Sequence, residues 1–362
     1  MVAAREGLVD RELIAEVVAL CAVAGEHLLV VGPPGTAKSE AVRRVARELG
    51  GRYFEYLLGR FTEPSEIFGP VDLRRLREGV VEVETAGMLP EAEVAFLDEV
   101  FLGSTAILNT LLSILNERVF RRGRSVRACP LRVCVGATNA LPEDTTLAAF
   151  ADRFLARLFV EPVPDARLEE LLEVGWRAQD ESRDGSGSLL PALDRLIGTA
   201  RTCDLTGVQS LIGVAVRRLR AAGVPLSDRR AVRAQRLVAA AAALDARGSA
   251  SSDDLWVLPL VMPTADAQVL ARETLTDLLG TARNSSLLHA AEEFSRGAQA
   301  RAERLAETGR ALLAEFGQAP VERDTQLRVE AVLREIDAGF AASDLPAPLD
   351  DVRERLVAAI RS

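Results

Sequence analysis

The sequence predicts an α/β fold with a parallel sheet flanked by helices, and three stretches carry that prediction. Leu28 to Ser39 reads LLVVGPPGTAKS, an apolar run that stops at a Gly/Pro turn and restarts as a helix. EVAFLDEVF at 93–101 and LRVCVGATNALPED at 131–144 are further short apolar runs closed by polar residues. Runs buried on both faces are strands of a parallel sheet, and such sheets bind ligands off the carboxyl ends of their strands. The polar residues that close the three runs therefore form the candidate site.

Composition narrows the class. With 362 residues the chain is long enough for two or three domains, each with a core. Hydrophobic residues are 48% and charged ones 27%, as in soluble globular proteins. Aromatics are only 4%, so Leu, Val and Ala must fill the cores. Lys plus Arg number 44 against 53 Asp plus Glu, and the net −9 argues against a general nucleic-acid coat while leaving local basic patches open. Cys21, Cys129, Cys134 and Cys203 have no C-x-x-C spacing and read as reduced thiols of a cytosolic protein. His27 and His289 lie far apart in sequence, which suggests no metal site. No window approaches about 18 uninterrupted apolar residues, and no charged-then-apolar leader is visible. A cytoplasmic protein without a membrane span is the expectation.

Taken in order, Leu8, Val9, Leu13, Ile14, Val17, Val18 and Cys21 place an apolar stripe on an opening helix that ends near Gly25. After the LLVV strand, Ala41, Val42, Val45, Ala46 and Leu49 recur at helical spacing, so a helix begins at about Ser39. Its first amides lack intrahelical acceptors and carry the positive end of the helix dipole, which a polyphosphate would satisfy. Lys38 would reach the β/γ oxygens and Ser39 would ligate Mg²⁺. Ala37 stands where the G-x-x-x-x-G-K-[ST] pattern has its last Gly, and it is expected to fit by adopting a negative φ.

Arg52 to Leu58 reads as a strand. Residues 61–93 form an insertion in which Leu76, Val80, Val81 and Val83 flank Glu78-Gly79, a pattern that predicts a β-hairpin. Val94 to Leu97 is the next strand, closed by Asp98 and Glu99. Adjacent acids tolerate each other with a cation between them and a phosphate, so Asp98 is expected to hold Mg²⁺ and Glu99 to polarise the attacking water. Ile107, Leu108, Leu111, Leu112 and Leu115 then mark a helix, followed by a second predicted hairpin crowded by Arg118, Arg121, Arg122, Arg124 and Arg127. Leu131 to Ala137 is a strand ending at Thr138-Asn139, where an amide can bond a γ-phosphate or orient water. Arg153 and Arg157 flank Phe154 and Leu155, and one of them could reach a neighbouring subunit's nucleotide.

With GPPGTAKS at 32–39, FLDEVF at 96–101, AILNTLLSILNERVFRRG at 106–123, ATNALPED at 137–144, ADRF at 151–154 and LSDRR at 226–230, the sequence resembles the AAA+ ATPases. Within them it resembles the MoxR family, especially the regulatory branch that pairs with von Willebrand A-domain (vWA) proteins. The resemblance implies an AAA+ P-loop parallel sheet flanked by helices (1–164), an α-helical lid domain (165–283) and a small C-terminal helical appendage (284–362). It implies ATP and Mg²⁺ bound by Gly32, Pro33, Pro34, Gly35, Thr36, Ala37, Lys38, Ser39 and Glu40, with Ser39 and Asp98 as metal ligands. Glu99 matches the catalytic Walker B acid, Asn139 sensor 1, Arg153 the finger acting in trans, and Arg229 sensor 2. Arg157 and Arg230 are the competing assignments. A hexameric ring, a vWA partner and a protein client follow from the same resemblance, and the two insertions resemble inserts that face the ring's pore.

Residues 179–188 read as a flexible loop, with helices near 190–200, 206–222 and from Ser227. Leu287, Ala291, Phe294, Ala298, Ala302, Leu305, Gly309, Leu312 and Phe316 repeat at about 3.6 residues, which predicts one nearly straight helix. Two further apolar faces complete a three-helix appendage. The leading functional expectation is an ATP-hydrolysing motor that remodels, matures or activates partner proteins. Its alternatives are a nucleic-acid translocase, which the Arg-rich turn favours and the net charge disfavours, and a nucleotide-gated assembly scaffold.

Overall fold

The computed structural model describes residues 12–122, 125–163, 168–177, 188–280, 284–316, 323–340 and 345–361. Leu8, Val9, Arg124 and most of the 179–188 loop lie outside them. Helix α1 (Glu12–Ala24) leads into β1 (Leu28–Val31), the phosphate-type loop and α2 (Lys38–Leu49); β2 (Tyr53–Leu57) follows. The first insertion carries α3 (Pro64–Phe68) and α4 (Leu73–Arg77), after which β3 (Val94–Asp98) and α5 (Thr105–Glu117) return to the sheet. A hairpin of β4 (Val119–Arg122) and β5 (Ser125–Ala128) precedes β6 (Val133–Thr138), α6 (Thr145–Ala151) and β7 (Ala156–Phe159). The described strands outside the hairpin form a five-stranded parallel sheet in the order β2-β3-β6-β1-β7.

Alternation along the strands divides the interior. Leu28, Val30, Val94, Phe96, Val133 and Val135 face one core; Leu29, Val31, Ala95, Leu97 and Cys134 face the other. The second core is covered by α5 and the insertions. The first is covered by α1 and α2 together with α8 (Leu190–Arg201), α9 (Thr206–Ala221) and α10 (Asp228–Leu244), which come after α7 (Leu168–Arg177). The sheet and the second helical unit, residues 190–296, thus share one continuous core. At the base of β1 the buried His27 ties three elements: its Nδ1 accepts the Cys134 N–H at 3.0 Å, and its Nε2 donates to the Leu115 carbonyl at 3.0 Å. Burial drives its pKa well below the ordinary histidine value, so the ring is neutral.

Two expectations are corrected. The first insertion is not a regular hairpin: residues 73–77 are helical, capped by Asp72, and only the Val71–Val83 bridge pairs antiparallel. The Asp72 side chain accepts from the Arg74 and Arg75 amides, and this local cap wins over strand alternation. The stripe from Leu287 to Phe316 is not one straight helix. After α11 (Ala265–Thr274) and α12 (Thr276–Leu279), it forms α13 (Leu288–Arg296) and α14 (Ala298–Phe316), broken at Gly297 with φ 52° and ψ −118°. Leu287, Ala291 and Phe294 join the first core, whereas Ala302, Leu305 and Leu312 pack with α15 (Arg323–Gly339) and α16 (Ala347–Arg361) in a separate core. One periodic stripe serves two cores, and glycine supplies the left-handed corner between them.

The docking of α13 rests on a buried acid. Glu16 on α1 is fully buried and accepts from the Ala290 amide at 2.8 Å and from His289 Nδ1 at 2.7 Å, a cap supplied from another element. Glu16→Ala removes that acceptor; stability measured by denaturant titration should fall by about 2–3 kcal/mol, with part of the loss recovered by Glu16→Gln.

Candidate functional site

Register brings the three polar strand ends together. Val31 pairs with Thr138 and Leu97 with Gly136, so β1, β3 and β6 finish side by side and deliver Gly32, Asp98 and Asn139 to one edge. Gly32 is required there: a Cβ would lie 2.2 Å from the Val160 carbonyl oxygen. Gly35 has φ +79° and nothing within 4 Å of a built Cβ, an open cradle at the loop's crown.

The loop is folded on itself. Lys38 Nζ donates to the carbonyls of Gly32 and Pro33, both at 2.9 Å, and the Thr36 hydroxyl donates to the Pro33 carbonyl at 3.0 Å. Pro33, Pro34, Gly35 and Ala37 are exposed, and Ser39 is half-buried beside them in the first turn of α2. No side chain caps α2, whose N-cap is Ala37. An uncapped helix start beneath a glycine cradle, with Lys38 held at its mouth, fits a polyphosphate. Ser39 and Asp98 are an oxygen-donor pair of the kind Mg²⁺ takes. The Glu40 carboxylate is held by Arg43 at 2.7 Å and Arg44 at 3.0 Å on the same helix. The Glu40 amide, in the first turn of α2, is the group left facing the loop.

Ala37 corrects the expectation of a negative φ: it sits at φ 54°, ψ 27°, in the left-handed region. The loop needs that conformation whether or not glycine occupies it, and for an L-residue it costs about 1–2 kcal/mol. Glu99 is likewise left-handed at φ 47°. That conformation turns its side chain toward β6, where Asn139 Nδ2 donates to Glu99 Oε1 at 2.6 Å. Partial burial, chiefly, and then the neighbouring Asp98 raise the Glu99 pKa, while the Lys38 ammonium opposes them. Lys38, Asp98, Glu99 and Asn139 are thus brought into one electrostatic neighbourhood.

The arginines lie elsewhere. Phe154 and Leu155 immediately precede Ala156, which pairs with Leu28, so Arg153 stands at the amino end of β1 and β7, opposite Lys38. It is half-buried. Arg157 is 6% exposed and donates to the Pro263 carbonyl, and burial pushes its pKa down to about 10. Arg229 bonds Asn116 Oδ1 at 3.0 Å, at the rim of a cavity of about 970 Å³ lined by Gly25, Asn116, Arg118, Arg132 and Arg236 at that same amino end. Arg230 is 2% exposed and pairs with Asp152 at 2.8 Å. Sequence reasoning missed the acids behind this cluster: Glu26, 1% exposed, engages Arg233 and Arg236 from more than two hundred residues away. Such separations leave no local signal.

Around the Arg-rich hairpin, three of the four described arginines have partners within the chain. Arg118 donates to the Leu115 and Gly25 carbonyls, Arg121 pairs with Glu117 at 2.6 Å, and Arg127 with Glu91 at 3.1 Å. Beside it, Phe61, Leu73, Leu76, Val80 and Val81 of the first insertion are exposed. No group of acids, histidines and cysteines able to hold a metal by itself occurs among the described residues, nor does a helix long and apolar enough to cross a membrane.

Ala37→Gly is expected to raise stability by about 0.5–1 kcal/mol, because relief of the left-handed strain outweighs the added entropy of the unfolded chain. Thermal unfolding measures the gain, and affinity for an ATP analogue should stay unchanged.

Residues 1–196, more than half of the chain, match the family model described as the MoxR domain in the MoxR-vWA-beta-propeller ternary systems. Two uncharacterized proteins of Methanocaldococcus jannaschii are each 35% identical over 238 and 237 residues, 65% of this chain and 63% and 62% of theirs. Chaperone MoxR1 of Mycobacterium tuberculosis is 29% identical over 159 residues, 41% of this chain and 40% of that protein. The chain therefore spans less than two thirds of the length of these curated relatives. Among solved structures, a candidate ATPase from Cytophaga hutchinsonii superposes with a TM-score of 0.62 at 16% identity, over 78% of this chain and 93% of that one, a likeness of fold.

Proposed function

Because the chain belongs to the MoxR family of AAA+ ATPases, we propose that it hydrolyses ATP with Mg²⁺ and spends the energy on remodelling, maturing or activating partner proteins. The observation that carries the reading is the 2.6 Å bond from Asn139 to Glu99 at the strand ends that also present Asp98 and the Lys38 loop. The amides of Gly35 to Glu40 bind the phosphates, and Lys38 exchanges its loop carbonyls for β/γ oxygens. Glu99 takes the proton of the attacking water, and Asn139 orients either that water or Glu99 itself. Mg²⁺ held by Ser39 and Asp98 would neutralise charge across the β- and γ-phosphates.

Arg153 stands at the opposite end of the sheet from its own loop, and so does Arg229. That separation supports a ring, in the family usually hexameric, in which both arginines act on the neighbour's nucleotide. Arg157 is a poorer finger, since its guanidinium is buried and bonded to the Pro263 carbonyl of its own chain. The exposed apolar residues of the first insertion suit contact with an unfolded or extended segment of a protein client. The family description supports a vWA protein as partner, with a β-propeller protein in the same system. We place the activity in the cytoplasm. A nucleic-acid translocase is less favoured, because Arg118, Arg121 and Arg127 are engaged within the chain.

Glu99→Gln should keep ATP binding and lose turnover by at least about 10²-fold, and Arg153→Ala should lower turnover by about 10³-fold or more with affinity retained. Lys38→Ala should lose binding itself. Radiolabelled phosphate release and analogue titration separate the three. Continued hydrolysis by Glu99→Gln would sink the assignment, and the same variant in ATP serves to trap the client and partner for identification.

A further inference from the structure

Four consecutive residues around the proposed finger are gripped by one helix of the second helical unit. Arg230, in the first turn of α10, makes five guanidinium hydrogen bonds among the described residues. Its Nη1 donates to Asp152 Oδ1 at 2.8 Å and to the Phe154 carbonyl at 3.4 Å. Its Nη2 donates to the Leu155 carbonyl at 2.6 Å and the Val261 carbonyl at 2.7 Å, and Nε reaches Val261 again at 2.9 Å. One turn along α10, Arg233 Nη2 donates to the Arg153 carbonyl at 3.2 Å while its other bonds go to buried Glu26. Every residue from Asp152 to Leu155 therefore gives an oxygen to an arginine of α10.

The chemistry is costly for a role of packing alone. A guanidinium 2% exposed has lost its hydration, its ion-pair partner among the described residues is Asp152, and Arg157 and Arg233 add like charge nearby while Glu26 offsets part of it. Apolar side chains in place of a whole buried ion pair are often as stabilising or more so. The planar fork, by contrast, fixes the direction of several acceptors at once, which neither a lysine nor an apolar group does. Val261 lies in the second helical unit, so the same fork joins α10, that unit and the finger loop. α10 cannot swing relative to β7 without carrying the loop or breaking these bonds.

We infer that Arg230 is the positioning residue of the finger, transmitting the placement of α10 in its own chain to Arg153 and hence to the nucleotide of the next subunit. This rests on reading Arg153 as a finger acting in trans. It assigns Arg230 a structural link to catalysis in place of direct phosphate contact.

The test uses full-length protein and subunit mixing. Arg230→Gln should bind a fluorescent ATP analogue within about 3-fold of wild type, yet its turnover should fall about 10²-fold, as expected when a reacting group is displaced by about 1 Å. Lys38→Ala subunits cannot bind nucleotide but carry an intact finger. Mixed with Arg230→Gln subunits, they should restore turnover at interfaces where the intact loop of one chain meets the intact finger of the other. Arg153→Ala mixed with Lys38→Ala is the reference. If that reference pair shows no recovery, the trans-finger reading fails. If it recovers while the Arg230→Gln mixture does not, or if Arg230→Gln alone turns over normally, the positioning role is overturned. Asp152→Asn, which keeps the shape of the loop, guards against misfolding of Arg230→Gln. It should lose about 10-fold in turnover, recoverable in the same mixture, and wild-type turnover by Asp152→Asn would overturn the inference if Arg230→Gln does not fold.

Discussion

The Gly32 amide donates to the Thr138 carbonyl at 3.1 Å, one step beyond the last paired residues of β1 and β6, and the site depends on that rung. It sets the height of the Lys38 loop relative to Asn139. The β3–β6 register then brings Asp98 and Glu99 alongside. A slip of one residue would move Asn139 by about 3.3 Å and send each strand's side chains to the wrong core. Burial on both faces, with β1 wholly buried between β6 and β7, makes such a slip prohibitive.

Around that rung the protein keeps costly features that packing alone would not select. Ala37 and Glu99 are both left-handed without being glycine, at about 1–2 kcal/mol each. Both are held by what flanks them: Ala37 between the folded loop and the start of α2, Glu99 by the Asn139 amide and by its own N–H donating to Asp98 Oδ1 at 3.0 Å. The other end of the sheet carries a mirror-image cost in charge, with Glu26 and Arg230 buried and cross-linked to neighbouring segments. Gly136 links the two ends through the core. A Cβ there would lie 3.0 Å from the ring of Phe154, so its absence lets the residue after the proposed finger pack against β6.

The acidic strand ends and the arginine-rich base lie at opposite ends of one sheet. A head-to-tail contact between copies joins unlike surfaces, and closure of such contacts gives a ring. Under the proposed function, each chain would then supply the loop of one site and the arginines of the next. Arg230 and Arg233 anchor those arginines to the helical unit that shares the first core with the sheet.

Much of the candidate site was legible because its chemistry is local. Lys38 and Ser39 follow a strand and a glycine turn, Asp98 and Glu99 close an apolar run, and Asn139 closes another; each signal lies within about ten residues. The periodicity of Leu287 to Phe316 was also legible, yet it could not say that Gly297 divides the stripe between two cores, because both halves obey the same repeat. Nor could alternation across residues 76–83 reveal the Asp72 cap that makes residues 73–77 helical.

What the sequence determined by itself is the parallel-sheet fold and the identity of the groups at its strand ends, since burial pattern and short motifs specify both. Only the tertiary structure decided the conformation of Ala37, the bond between Asn139 and Glu99, and the separate surroundings of Arg153, Arg157, Arg229 and Arg230. Those four arginines are chemically alike along the chain. They differ in which carbonyls and acids surround them, and these partners, among them Asp152, Val261, Pro263 and Asn116, come from segments that meet only when the two helical layers close on the sheet.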